Sequence, residues 1–174
     1  MEIGLLLLFS IVMLKIAYVD YKEQYIYDVD IGVAGMIALA YSLCTSNLYV
    51  SIVGGICGFA IGYVIYVVAK MVYGEESFGF GDVILLGVMG IFFGYPMVLH
   101  YFANTIMITG FIAMCFLLYD SSVAKMAVPM APILIAGAFL QVWNEYPTVY
   151  DFLFNRCIGI LSAFYHLILN GLSL

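Results

Sequence analysis

Between Tyr49 and Val72 the chain reads YVSIVGGICGFAIGYVIYVVAKMV, and Lys70, near its end, is the one charged side chain in it. A helix of about 20 apolar residues crosses the roughly 30 Å hydrocarbon core of a bilayer, so this stretch is long enough to span. Gly54, Gly58 and Gly62 recur at every fourth residue, with Gly55 beside them. Such a stripe of small residues lets a neighbouring backbone approach closely, and packing is sufficient to account for it. Gly87, Gly90 and Gly94 repeat the pattern at a spacing of three to four, which keeps them on one helix face.

Working outward, further apolar runs fall at 3–19, 30–46, 83–99, 101–119, 127–143 and 153–172. Arg156, His166 and Asn170 interrupt the last of these, which either spans or lies in the interface. The pattern predicts an all-α, polytopic integral membrane protein with six to seven transmembrane helices. Composition agrees. Charged residues make up 9% of the 174 and apolar residues 66%, against roughly 25% and 45–50% in soluble domains. A net charge of −6, with five basic residues scattered singly, excludes a nucleic-acid partner. The first run is expected to be a retained helix, because Glu2 stands where a signal peptide would be basic and no small-x-small site precedes Asp20. Cys44, Cys57, Cys115 and Cys157 are too widely spaced for a zinc site or a disulfide framework, and no metal or other cofactor is expected.

Threaded alternately through a bilayer, the runs bring the charged loops 20–30, 73–82 and 120–125 to one side, together with Lys15, Lys22, Lys70 and Lys125. The positive-inside rule assigns that side to the cytoplasm. Tyr18, Tyr21, Tyr25 and Tyr27 then crowd the inner interface, and Trp143, Tyr146 and Tyr150 form an outer aromatic belt. The inner face carries Asp20, Glu23, Asp28, Asp30, Glu75, Glu76, Asp82 and Asp120 against four lysines.

Two of these acids invite a chemical reading. Asp20 closes the first run, and Asp82 opens the fourth directly after Phe78-Gly79-Phe80-Gly81. Singly, Asp20 reads as a polar stop and Asp82 as a helix N-cap. The pair has another use. Amide hydrolysis by two carboxyls needs one ionised group to activate water and one protonated group to donate to the carbonyl oxygen, and like charges brought close share a proton in that way. Gly79 and Gly81 strip side chains from the backbone beside Asp82, as an approaching extended chain would require.

The segment from Glu76 to Leu86, with Gly90 and the Gly94-Tyr95 pair after it, resembles the type IV prepilin peptidases, membrane aspartyl proteases with a GxGD motif. Asp20, six residues before Ile26, is similar to that family's first catalytic aspartate. Lys125, Pro129 and Pro132 resemble its lysine and P-x-x-P segment ahead of the last core helix. The likeness covers about residues 3–143. It implies a GxGD aspartyl-protease core over 1–143, with 144–174 as a C-terminal extension carrying a further helix. Catalysis would fall to Asp20 and Asp82, with Gly79, Phe80 and Gly81 as the active-site loop and Lys125, Pro129 and Pro132 supporting the motif. The substrate implied is a prepilin or pilin-like precursor, cut at the cytoplasmic face of a bacterial inner membrane, where Glu23, Glu75 and Glu76 would hold its short basic leader.

Departures accompany the likeness. Tyr27 and Asp28 stand where the family has Pro and Asn, and Ile84 stands in place of a lysine. The long cytoplasmic insertion with paired cysteines and its N-methyltransferase activity has no counterpart, so the resemblance implies a peptidase alone. Three other readings remain open at this stage: an archaeal-type preflagellin peptidase, a small transporter or channel subunit using its carboxyls for ion passage, and a non-catalytic subunit that packs through its glycine stripes. Which aspartate is base and which acid, and the oligomeric state, are likewise open.

Overall fold

The computed structural model describes residues 2–73, 78–119 and 130–145. Over these the protein is built from six helices, α1 (Glu2–Glu23), α2 (Asp28–Cys44), α3 (Leu48–Tyr73), α4 (Phe80–Phe93), α5 (Met97–Tyr119) and α6 (Met130–Glu145), and no strand occurs among the described residues. Ile3–Glu23, Leu48–Val72 and Met97–Cys115 are long and apolar enough to cross a membrane, and Phe80–Phe93 and Met130–Val142 are shorter apolar helices. The all-α membrane architecture expected from the sequence is thus the one observed. The run at 153–172 lies outside the described residues. The chain divides into two compact units, Met1–Ala138 and Phe139–Leu174, and both aspartates fall in the first.

The apolar run at 83–99 is not one helix: the short uncharged turn that the sequence places at Gly94–His100 opens at Gly94, whose φ of 71° ends α4, and α5 begins just after Pro96. Apolarity continues through a turn that backbone conformation breaks. At 14 residues, α4 is about 21 Å long at 1.5 Å per residue, short of a full span.

This short helix sits at the centre. Val83, Leu85, Leu86, Val88 and Met89 are all buried, so α4 meets protein on most of its circumference. Its partner on one side is α3, through the glycine stripe. A Cβ at Gly54 would collide with the carbonyl oxygen of Gly90, and one at Gly58 with that of Leu86. The two backbones therefore touch directly, which a membrane helix pair needs because lipid tails supply no hydrophobic driving force between helices. At the far end of the pair the Tyr95 N–H donates to the Val50 carbonyl at 3.0 Å, tying the α4–α5 turn to the start of α3. Aromatic stacking joins the other helices: the Phe92 ring lies 4.1 Å from Phe9 of α1 and 5.3 Å from Tyr41 of α2, and Phe93 lies 5.1 Å from Tyr101 of α5.

Candidate active site

Asp20 lies in the last turn of α1. The helix ends at Glu23, and the next residue, Gln24, adopts φ 52° and returns its N–H to the Asp20 carbonyl at 2.9 Å. This is the single-bond left-handed cap, and it turns the chain back toward α2. The turn places Ile26 in the interior against Gly81, where an added Cβ would lie 3.3 Å from the Ile26 Cβ. Gly81 therefore leaves room for this chain's own Ile26, in place of the open backbone expected for an incoming strand. Gly79 has a related role. It precedes α4 in extended conformation, its carbonyl accepts the Asp82 N–H at 3.1 Å, and a Cβ on it would stand 3.0 Å from Asp82 Oδ2. A side chain there would press on the carboxyl.

Both carboxyls are withdrawn from the surface, Asp20 at 6% and Asp82 at 7% exposure, although ionisable groups are almost never buried unless partnered. The structure brings them together closely enough for their charges to interact. Their partners differ. Asp20 Oδ2 accepts the Ala131 N–H at 2.9 Å, across 111 residues of sequence. Ala131 is the second residue of α6, so this N–H is one of the donors that a helix start leaves without an internal acceptor. Pro132 follows it in the first turn, where a missing N–H costs nothing. Asp82 Oδ1, by contrast, is buried and has no hydrogen-bond partner among the described residues.

Other sequence-selected residues are spread around this pair. Phe80 is half exposed and meets the Tyr66 ring edge-on at 5.8 Å. Glu23 is exposed and accepts the Tyr27 hydroxyl at 2.8 Å, a bond that holds the phenol above its usual pKa. Tyr27 itself has φ −76°, a value proline would also adopt, so the turn keeps a proline-like backbone without the proline. Glu75, Glu76, Lys125 and Pro129 lie outside the described residues. Asp30 is corrected: rather than contributing to an open acidic face, it is buried and paired with Lys15 at 2.7 Å. The two residues sit on different helices, 15 apart in sequence, which hid the pairing. Among the described residues no group of three or more His, Cys, Asp or Glu is placed to hold a metal.

One contact sets the level of Asp82 along α3. A Cβ on Gly62 of α3 would lie 3.2 Å from the Val83 Cα, so Gly62 marks the level of Asp82 on the neighbouring helix. Lys70 comes eight residues later, about 12 Å farther along the axis. Asp82 is therefore level with the middle of α3 and not with its Lys70 end.

Sequence reasoning missed the Ala131 N–H, the plug formed by Ile26 and the fully buried Tyr101, whose hydroxyl donates to the Leu134 carbonyl at 3.1 Å. The signals available for the first two were the Pro132 helix start and the apolar residue after a polar turn; a buried tyrosine in a tyrosine-rich chain carries none.

Comparison with curated proteins gives no match, and comparison with solved structures gives none either. Residues 7–118, more than half of the chain and the part that holds α1 through α5 with both buried aspartates, match the type IV leader peptidase family. With two carboxyls gathered inside a set of membrane helices, and with that match running through both of them, the chain belongs to the type IV leader peptidase family.

Proposed function

We propose that the protein is a membrane-embedded aspartic endopeptidase that removes the short basic leader of type IV prepilin or pilin-like precursors at the cytoplasmic face of a bacterial inner membrane. The observation that carries this reading is the burial of Asp20 and Asp82 within reach of each other's charge, inside the stretch that matches the family.

The different surroundings of the two carboxyls suggest their roles. Asp20 accepts an N–H at the positive end of α6, which stabilises negative charge, and it is assigned as the base. Asp82, with an oxygen free to donate or accept toward substrate, is assigned as the acid. Water attacks the scissile carbonyl carbon while Asp20 takes one of its protons and Asp82 gives its own to the carbonyl oxygen. The gem-diol then collapses: the C–N bond breaks, the amine nitrogen takes the proton from Asp20, and a hydroxyl returns its proton to Asp82. Both carboxyls end as they began, with no covalent intermediate.

Glu23, Glu75 and Glu76 are assigned to the basic leader by charge complementarity. Pro132 lies in the first turn of α6, which presents the Ala131 donor, and Lys125 and Pro129 are assigned to the motif ahead of it by the family likeness alone. The test is co-expression with a pilin-like precursor carrying a short basic leader, with leader removal read by mass. Asp20→Asn and Asp82→Asn should each abolish processing while the protein still inserts. Processing retained in either variant overturns the aspartic mechanism.

A further inference from the structure

Tyr101 is fully buried in α5, and its burial raises a question that packing alone does not answer. Its ring stacks on Phe93 at 5.1 Å and meets Phe102 edge-on at 6.5 Å, contacts that phenylalanine would make equally well. A hydroxyl adds cost in an apolar interior unless it is bonded. The hydroxyl donates to the Leu134 carbonyl at 3.1 Å. In a continuous helix that carbonyl already has a donor of its own four residues on, at Ala138, so the phenol is not needed to satisfy it. What the bond does is fix position. Leu134 stands one turn after Ala131, whose N–H holds Asp20, and the phenol also lies within reach of the charge on Asp82.

A second contact defines the same seam. Gly137 faces Thr105, and a Cβ on Gly137 would collide with the Thr105 hydroxyl. Tyr101 to Leu134 and Thr105 to Gly137 are successive contacts one turn apart, so α5 and the first turns of α6 are held in a single register. We infer that Tyr101 is a positioning residue for catalysis, its hydroxyl anchoring the first turns of α6 through Leu134 so that the Ala131 N–H stays on Asp20. This rests on the aspartic reading above.

The test uses the full chain, solubilised in detergent, cleaving a precursor with a short basic leader and a hydrophobic helix. Tyr101→Phe keeps the ring and removes the hydroxyl. It removes the hydroxyl's bond to Leu134 and its side-chain bond with Thr105, and should lower kcat about 3- to 10-fold, as expected for lost hydrogen bonding at one hydroxyl, with KM unchanged. Ala131→Pro removes the N–H itself and should lower kcat further. The double variant should be no slower than Ala131→Pro alone, because both changes act on one contact. Gly137→Ala, which presses on Thr105, should lower kcat in the same way, whereas Thr109→Val, the loss of a hydroxyl bonded only within α5, should leave it alone. Wild-type kcat in Tyr101→Phe, or independent multiplication of effects in the double variant, overturns the inference. If Asp20→Asn still cleaves, the aspartic reading falls with it; if Asp20→Asn is dead and Tyr101→Phe is normal, only the role of Tyr101 falls.

Discussion

Gly58→Ala adds one methyl group at the point where α3 rests on the backbone of α4. The new Cβ would collide with the Leu86 carbonyl oxygen and lie 3.2 Å from its carbon and 3.4 Å from the Gly90 Cα. Backbone cannot rotate aside as a side chain can, and a C···O contact relaxes only near 3.3–3.6 Å, so the helices must part by about 1 Å. Overpacking of this kind costs about 1–3 kcal/mol, offset by about 1 kcal/mol for replacing glycine by alanine in a helix. The net loss of stability is therefore small, about 0–2 kcal/mol. Activity should suffer more. Leu86 is one turn from Asp82, and a misplacement of about 1 Å costs up to about 100-fold in rate. The expected result is a 10- to 100-fold fall in kcat with a modest fall in melting temperature, measured on purified protein cleaving a precursor of defined mass. Gly110→Ala is the control: nothing lies within 4 Å of its added methyl, and both quantities should hold or improve. Gly58→Ala with wild-type kcat would refute the view that the α3–α4 backbone contact sets the position of Asp82.

Ile26→Ala should empty the space beside Gly81 and lower cleavage about 10-fold, seen in kcat rather than in membrane insertion, since Ile26 joins the α1 turn to the start of α4. Lys15→Met should cost about 1–2 kcal/mol by leaving the buried Asp30 unpaired, and a thermal-melt cycle should show Lys15→Met/Asp30→Leu recovering most of it. Charge reversal at Glu75 and Glu76 together should raise KM for a basic-leader precursor with kcat unchanged, and should leave an uncharged-leader precursor unaffected; equal KM for both before and after the change would remove these acids from leader binding.

How far the sequence carried the reading depends on what kind of signal each feature leaves. The helices were legible because a span needs about 20 apolar residues and lysines mark its ends. The α3–α4 contact was legible because a close backbone approach writes glycine at every fourth position, as at Gly54, Gly58 and Gly62. The end of α4 was legible in the uncharged turn that opens at Gly94, although the apolar run itself continues to Leu99. The Asp20 partner was not legible: every residue but proline has an N–H, so the donor at Ala131 has no residue type to betray it. Lys15 and Asp30 were visible as charges, but their pairing depends on the angle of the α1–α2 turn, which Gln24 sets by adopting a conformation that its side chain does not advertise.

The distance of Asp82 from the Lys70 end of α3 follows from the unequal lengths of two helices in contact. The 26-residue α3 is about 39 Å long and the 14-residue α4 about 21 Å. Because Tyr95 N–H and the Val50 carbonyl join them at the far end, nearly all of the difference appears at the end that carries Asp82. On the proposed function, with the Lys70 end of α3 toward the headgroups, Asp82 would lie about 12 Å below the Lys70 backbone along the α3 axis. A peptide bond flanked by water on both sides would not reach it. One at the junction of a charged leader and a hydrophobic helix would, because the helix draws the bond below the headgroups while the leader remains above, beside the end of α3. On that reading the short α4 would select substrate by depth. On the proposed function, a precursor variant with four polar residues inserted between its leader and its hydrophobic helix, which lifts the junction by about 6 Å if the helix continues through them, should no longer be cleaved at the end of the leader. Cleavage at the original junction in that variant would show that depth is not what selects the bond.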